Sequence, residues 1–146
     1  MRRASVLCIL ALVAAGSTAP ATAKPAPVKK SFQVSAFPPD PTYGLGVTQG
    51  TCNQVNAMSH VDTAIKTPFA GTLTVDLTGF TGDWDLALYD SAGVLVQKSS
   101  QSATDPVDRP EHVAQGMQKA GLTFKIRACN FAGGQTATVS YVMTAK

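Results

Sequence analysis

The chain has 146 residues, 45% of them apolar and only 14% charged, with a formal net charge of +3. That length holds one domain, or one domain and a tail. A charged fraction well below the roughly 25% of an average soluble protein leaves polarity to Thr, Ser, Gln and Asn, and it excludes a nucleic-acid binder built on Lys/Arg stripes.

At the N-terminus, Arg2 and Arg3 precede an apolar run over 6–15, and a small-residue stretch then leads to Ala21-Thr22-Ala23. These are the charged, hydrophobic and cleavage regions of a secretory signal peptide. The run is too brief for a span of hydrocarbon, which needs ~20 apolar residues. Residues 1–23 are therefore expected to be removed, so that the mature chain begins at Lys24. Leu7 stands before Cys8 where a lipidation site needs a small residue, and the residues that should follow a twin-arginine pair are absent. Without Arg2 and Arg3, ten Lys and Arg face nine Asp and Glu, a net charge of +1. No later segment is long and apolar enough for a membrane helix, so a secreted protein with no membrane span is expected.

The same cleavage leaves two of the three cysteines, Cys52 and Cys129. In an oxidising compartment an even pair is expected to bond, here closing a loop worth ~2 to 4 kcal/mol by common measurement. A reactive thiol or a metal site would call for a neighbouring His or a Cys-x-x-Cys spacing, and neither is present.

Residues 24–30 combine proline with lysine and read as an extended, disordered lead-in. A short strand is expected over 31–36. Phe37-Pro-Pro-Asp-Pro41 then forbids helix and central strand alike, and 43–56 reads as loop. The stretch 57–63 matches neither period. Over 71–79, Leu73, Val75 and Leu77 alternate with Thr72, Thr74, Asp76 and Thr78, which makes a strand with one wet face. Trp84, Leu86 and Leu88 alternate with Asp85, Ala87 and Tyr89, and this weaker polarity on the second face suggests a central strand. Asp90-Ser-Ala-Gly93 makes a type I turn with a bulge into a strand over 94–98, a first hairpin. Residues 99–110 form a long polar loop. Leu122, Phe124, Ile126 and Ala128 alternate with Thr123, Lys125, Arg127 and Cys129, and Asn130-Phe-Ala-Gly-Gly134 reads as the turn of a second hairpin into Val139, Tyr141 and Met143. Short strands without an amphipathic helix predict an all-β, antiparallel sandwich or jelly roll of about six to eight strands over 31–146. The Cys52–Cys129 bond would fasten its irregular N-terminal third.

The segments Gly71-Thr-Leu-Thr-Val-Asp-Leu-Thr-Gly79, Gly82-Asp-Trp-Asp-Leu-Ala-Leu-Tyr-Asp90 and Ala120-Gly-Leu-Thr-Phe-Lys-Ile-Arg127 together resemble the bacterial pre-peptidase C-terminal domain, over roughly residues 65–146. The match departs where Tyr89 comes late and where Leu122-Thr123-Phe124 replaces a tyrosine-containing strand start. The resemblance implies a jelly-roll module of the kind appended to secreted peptidases, where it is removed in maturation or assists binding and secretion. This chain would be a stand-alone version.

Asp83, Asp85 and Asp90 are the densest acidic cluster and a candidate Ca²⁺ site, yet calcium needs six to eight oxygens and an EF-hand register starting at Asp83 fails at Leu88 and Val94. The plainer role for these carboxylates is capping turns and accepting local hydrogen bonds, and no metal or other cofactor is expected. Trp84 alternates with core residues, whereas Tyr89 on the opposite face is the candidate for surface contact. A hydrolytic site would have to use His60 or His112; Ser59-His60-Val61-Asp62 and Glu111-His112 lack the spacing of a nucleophile with its base. Two functions are thereby expected ahead of a small hydrolase. The first is a non-catalytic binding or accessory module for an extracellular protein or polysaccharide, through Tyr89 and the 99–110 loop with Asp105 and Arg109. The second is a peptidase inhibitor presenting Asp105-Pro-Val-Asp-Arg-Pro110, whose prolines lower the ordering cost of binding.

Overall fold

The computed structural model describes residues 23–38, 52, 58–100 and 110–146. Its strands are β1 (Val28–Ser35), β2 (His60–Lys66), β3 (Gly71–Thr78), β4 (Gly82–Asp90), β5 (Leu95–Ser99), β6 (Glu111–Met117), β7 (Thr123–Gly133) and β8 (Thr136–Ala145). They form two four-stranded antiparallel sheets, ordered β1-β8-β3-β6 and β2-β7-β4-β5. The all-β sandwich with its single Cys52–Cys129 bond is the expected architecture. Among the described residues no helix is long and apolar enough to cross a membrane.

Period-two patterning places the core. Leu73, Val75 and Leu77 of β3 turn inward with Val139 and Met143 of β8, and Trp84, Leu86 and Leu88 of β4 turn inward with Ile126 and Ala128 of β7. None of these side chains exceeds 1% exposure, so each large one contributes about 1.5 to 3 kcal/mol of burial. Gly71 stands where β3 lies against β8, and a Cβ there would fall 1.9 Å from the Thr144 carbonyl oxygen.

The first hairpin forms as read. Asp90 N–H donates to Val94 O (2.9 Å), Gly93 N–H donates to Asp90 O (3.1 Å), and Gly93 has φ +80°. This is a type I turn whose glycine supplies the left-handed bulge position. The second hairpin does not form. β7 and β8 belong to opposite sheets, and the glycine-containing connection carries the chain across the core instead of folding it back in plane. Both strands still show alternation, because both turn one face to the same core from opposite sides.

Asn130 fixes that corner. It is fully buried, and its Nδ2 donates to Ala36 O (2.9 Å) and Gly134 O (3.0 Å), while Trp84 Nε1 donates to the same Gly134 oxygen at 3.0 Å.

Three further elements depart from expectation. β1 begins at Val28, so Val28, Lys29 and Lys30 of the expected lead-in pair with Met143, Val142 and Tyr141. The undecided 57–63 stretch runs into β2, which pairs with β7. β6, where no strand was expected, pairs with β3, and its inward set of Glu111, Val113 and Met117 is too mixed to show a clean apolar alternation. Residues 1–22 of the expected signal peptide lie outside the described residues, as do Asp105 and Arg109.

Candidate binding site

Alternation along β4 sends Asp85, Ala87 and Tyr89 to the outer face of the second sheet, opposite Trp84, Leu86 and Leu88. An outer face is normally wet, yet Ala87 and Tyr89 are only 2% and 3% exposed. Cys52, bonded to Cys129 of β7, comes down on this face and forms with Ala87, Tyr89 and Phe131 a second apolar cluster outside the main core. Tyr89 is thus not the exposed contact residue expected of it, because the disulfide holds Cys52 over the face that alternation alone would leave open.

Tyr89 is also roofed by cations from β7. Lys125 Nζ and the Arg127 guanidinium carbon lie 5.1 Å and 5.2 Å from its ring centroid, within the range of cation–π attraction. Arg127 Nε and Nη2 donate to the two carboxylate oxygens of Asp62 on β2 at 2.6 Å and 2.8 Å, and Lys125 Nζ approaches the same carboxylate at 3.2 Å. Burial pushes the Asp62 carboxyl up, but the Arg127 and Lys125 bonds and charges outweigh it and hold it below its ordinary value. Burial raises the Tyr89 phenol despite the Arg127 charge beside it.

Between Cys52 and β5 the face has a small dip, with room for about one water molecule, lined by residues that include Asp85, Tyr89, Leu95 and Lys98. Asp85 is 8% exposed. Burial, then the charges of Asp83 and Glu111, push its carboxyl up to about 7 against the opposing pull of Lys98. Burial alone raises Asp83. Glu111 reaches this neighbourhood from β6 of the other sheet and is itself 1% exposed.

The three aspartates of the candidate calcium cluster do not converge. Asp83 and Asp85 sit near the start of β4, whereas Asp90 ends it and spends Oδ1 on the N–H groups of Ala92 and Val94, both at 2.9 Å. Among the described residues no group of three His, Cys, Asp or Glu side chains is placed to hold a metal ion. The histidines lie apart: His60 starts β2, and His112 on β6 meets Asp76 of β3 on the outer face of the first sheet, Nδ1 to Oδ1 at 2.6 Å. Asp62, next but one to His60 in the suggestive Ser59-His60-Val61-Asp62 run, is engaged by Arg127 instead.

Sequence reasoning missed Lys98 and Glu111 as partners of Asp85. Lys98 stands opposite Ala87 in the β4–β5 register, a placement the hairpin already implied. Glu111 gave no comparable signal, since its approach depends on the packing of two sheets. Lys66, Lys98, Lys125 and Arg127 together arc over the outer face of the second sheet by register, with Asp62 among them and Asp83 and Asp85 at one end. Compared with protein-family models the chain matches none, and a comparison with curated proteins finds no match.

Proposed function

We propose that this protein is a secreted, non-catalytic binding or accessory module that holds an extracellular polysaccharide or protein on the outer face of its second sheet. The observation that carries this reading is the outer face itself, where Lys98 stands exposed beside the disulfide-anchored Cys52 and Lys66, Lys125 and Arg127 share the same side of the sheet. Cations gathered on one side of a sheet suit a ligand held at several points, and the disulfide fixes Cys52 against that face in advance of binding. The signal-like N-terminus and the disulfide agree with an extracellular setting, and the strand motifs shared with pre-peptidase C-terminal modules agree with an accessory role.

The test is a binding panel of neutral, carboxylated and sulfated polysaccharides and secreted proteins, run with the wild type and with Lys98→Glu. Saturable binding of one class, weakened in the variant, supports the reading. No binding across the panel, together with turnover of any hydrolase substrate, overturns it.

A further inference from the structure

Three connections meet at one end of the sandwich. The registers Asp90↔Phe124 and Lys66↔Thr123 bring level the turn of the β4–β5 hairpin, the 67–70 connection from β2 to β3 and the 118–122 connection from β6 to β7. The last two are bonded to one another: Thr67 N–H donates to Leu122 O at 2.8 Å and Gly121 N–H to Thr67 O at 2.7 Å. β8 ends beside them, with Lys146 N–H on Ala70 O at 3.2 Å, and β1 begins opposite Met143 of β8. All three connections consist of described residues.

Apolar exposure and positive charge coincide here. Val94 and Leu95, adjacent where the hairpin turn enters β5, are 59% and 37% exposed. The turn fixes them, since Val94 N–H donates to Asp90 Oδ1 and Val94 O accepts from Asp90 N–H, each at 2.9 Å. Lys66 and Lys119 stand exposed at the two bonded connections, and exposed Lys24 precedes β1. Asp90 is the one acid in the three connections and their turn, and its Oδ1 is taken up by the N–H groups of Ala92 and Val94. Lys125 is held by Asp62 and adds little. The other end of the sandwich carries the opposite sign, with Asp83, Asp85 and Glu111 where β4 and β6 begin, opposed by Lys98.

We propose that the protein docks by this end on an anionic lipid bilayer, Val94 and Leu95 entering the headgroup boundary and Lys24, Lys66 and Lys119 lying over the lipid phosphates. The proposal concerns the end of the sandwich and does not rest on the reading of its outer face as a binding module. Charge of opposite sign at the two ends turns the molecule toward a negative surface before contact. Two neighbouring aliphatic side chains on a fixed turn then leave water with no loop to order. A soluble polyanion would use the lysines and leave the aliphatic pair in water, whereas a bilayer takes both, since peripheral binding grows with buried apolar area and with attraction to anionic lipid together.

The test is co-sedimentation of the exported protein with vesicles of phosphatidylcholine alone and of phosphatidylcholine mixed with phosphatidylglycerol. Partition onto the anionic vesicles should exceed that onto the neutral ones by about tenfold or more and fall as salt is raised. Lys119→Gln should weaken it about fivefold, and Val94→Ser with Leu95→Ser about tenfold. These side chains are exposed, so urea midpoints close to the wild type verify the folds. Val94→Trp should show blue-shifted emission on anionic vesicles, read against a Trp84 that is 1% exposed throughout. Absence of partition onto anionic vesicles, equal partition onto both kinds, wild-type partition by the serine double variant, or an unshifted Val94→Trp emission each overturns the proposal. Polyphosphate bound equally by the wild type and the serine double variant, with anionic vesicles unable to displace it, assigns this end to a soluble polyanion and overturns the bilayer.

Discussion

Arg127 and Asp62 face one another across β7 and β2 with two guanidinium N–H groups on two carboxylate oxygens, at 2.6 Å and 2.8 Å. The guanidinium carbon thereby lies 5.2 Å from the Tyr89 ring centroid, and a third donation links Nη1 to the Cys52 carbonyl at 3.5 Å. Asp62→Asn should cost about 1 kcal/mol or less in urea unfolding, since solvent screens a pair of this exposure. Its signature is the pH profile. Because the folded Asp62 carboxyl lies below its unfolded value, its contribution is present above the ordinary carboxylate range and is lost as pH falls through the lowered value. The variant should show a shallower acid limb than the wild type.

Asp85 predicts the opposite slope. Its folded carboxyl lies above the unfolded value, at about 7 against 3.8. The native state therefore holds the extra proton between those values, and stability declines as pH rises through them. Asp85→Asn should flatten that decline and exceed the wild type at pH 8 by about 2 kcal/mol, solvent at the mouth of the dip reducing the full effect of such a shift. Urea titrations at pH 5 and pH 8 followed by Trp84 fluorescence measure it.

The Cys52–Cys129 bond spans a sequence separation of 77. Its removal by Cys52→Ala with Cys129→Ala should lower stability by about 2 to 4 kcal/mol. Because Cys52 also covers Ala87 and Tyr89, the double variant should additionally gain accessibility at Tyr89. Calorimetric melting and solvent quenching of tyrosine emission check the two effects separately.

Two glycines should respond differently to the same substitution. Gly71→Ala drives a Cβ into the Thr144 carbonyl, 1.9 Å away, and parting β3 from β8 should cost about 3 kcal/mol. Gly93→Ala meets nothing within 4 Å and suffers only from φ +80°, so about 1 to 2 kcal/mol is expected. Denaturation midpoints of the two variants, measured side by side, decide the order.

Much of the scaffold was legible because its information is local. Leu73, Val75 and Leu77 write their strand in residue-by-residue alternation, Asp90 and Gly93 write a turn, and two cysteines write a bond. Whatever depends on which sheet a strand joins was not legible. β7 and β8 keep the same alternation whether they lie side by side or face each other through the core, so the sequence pattern is indifferent to the outcome, which lies in the ladders each strand makes with others and in the Gly134 corner held by Asn130 and Trp84. The site divides the same way. Alternation put Tyr89 and Asp85 on the outer face correctly, but the cover supplied by Cys52 and the approach of Glu111 arise from long-range packing that no local period encodes.

The first described strand hydrogen-bonds to the last, β1 to β8, in a ladder running from Val28 opposite Met143 to Ser35 opposite Thr136. Contacts of such sequence separation form slowly, so the first sheet closes only once β8 is available to both β1 and β3, and its completion is the non-local, rate-setting step of folding.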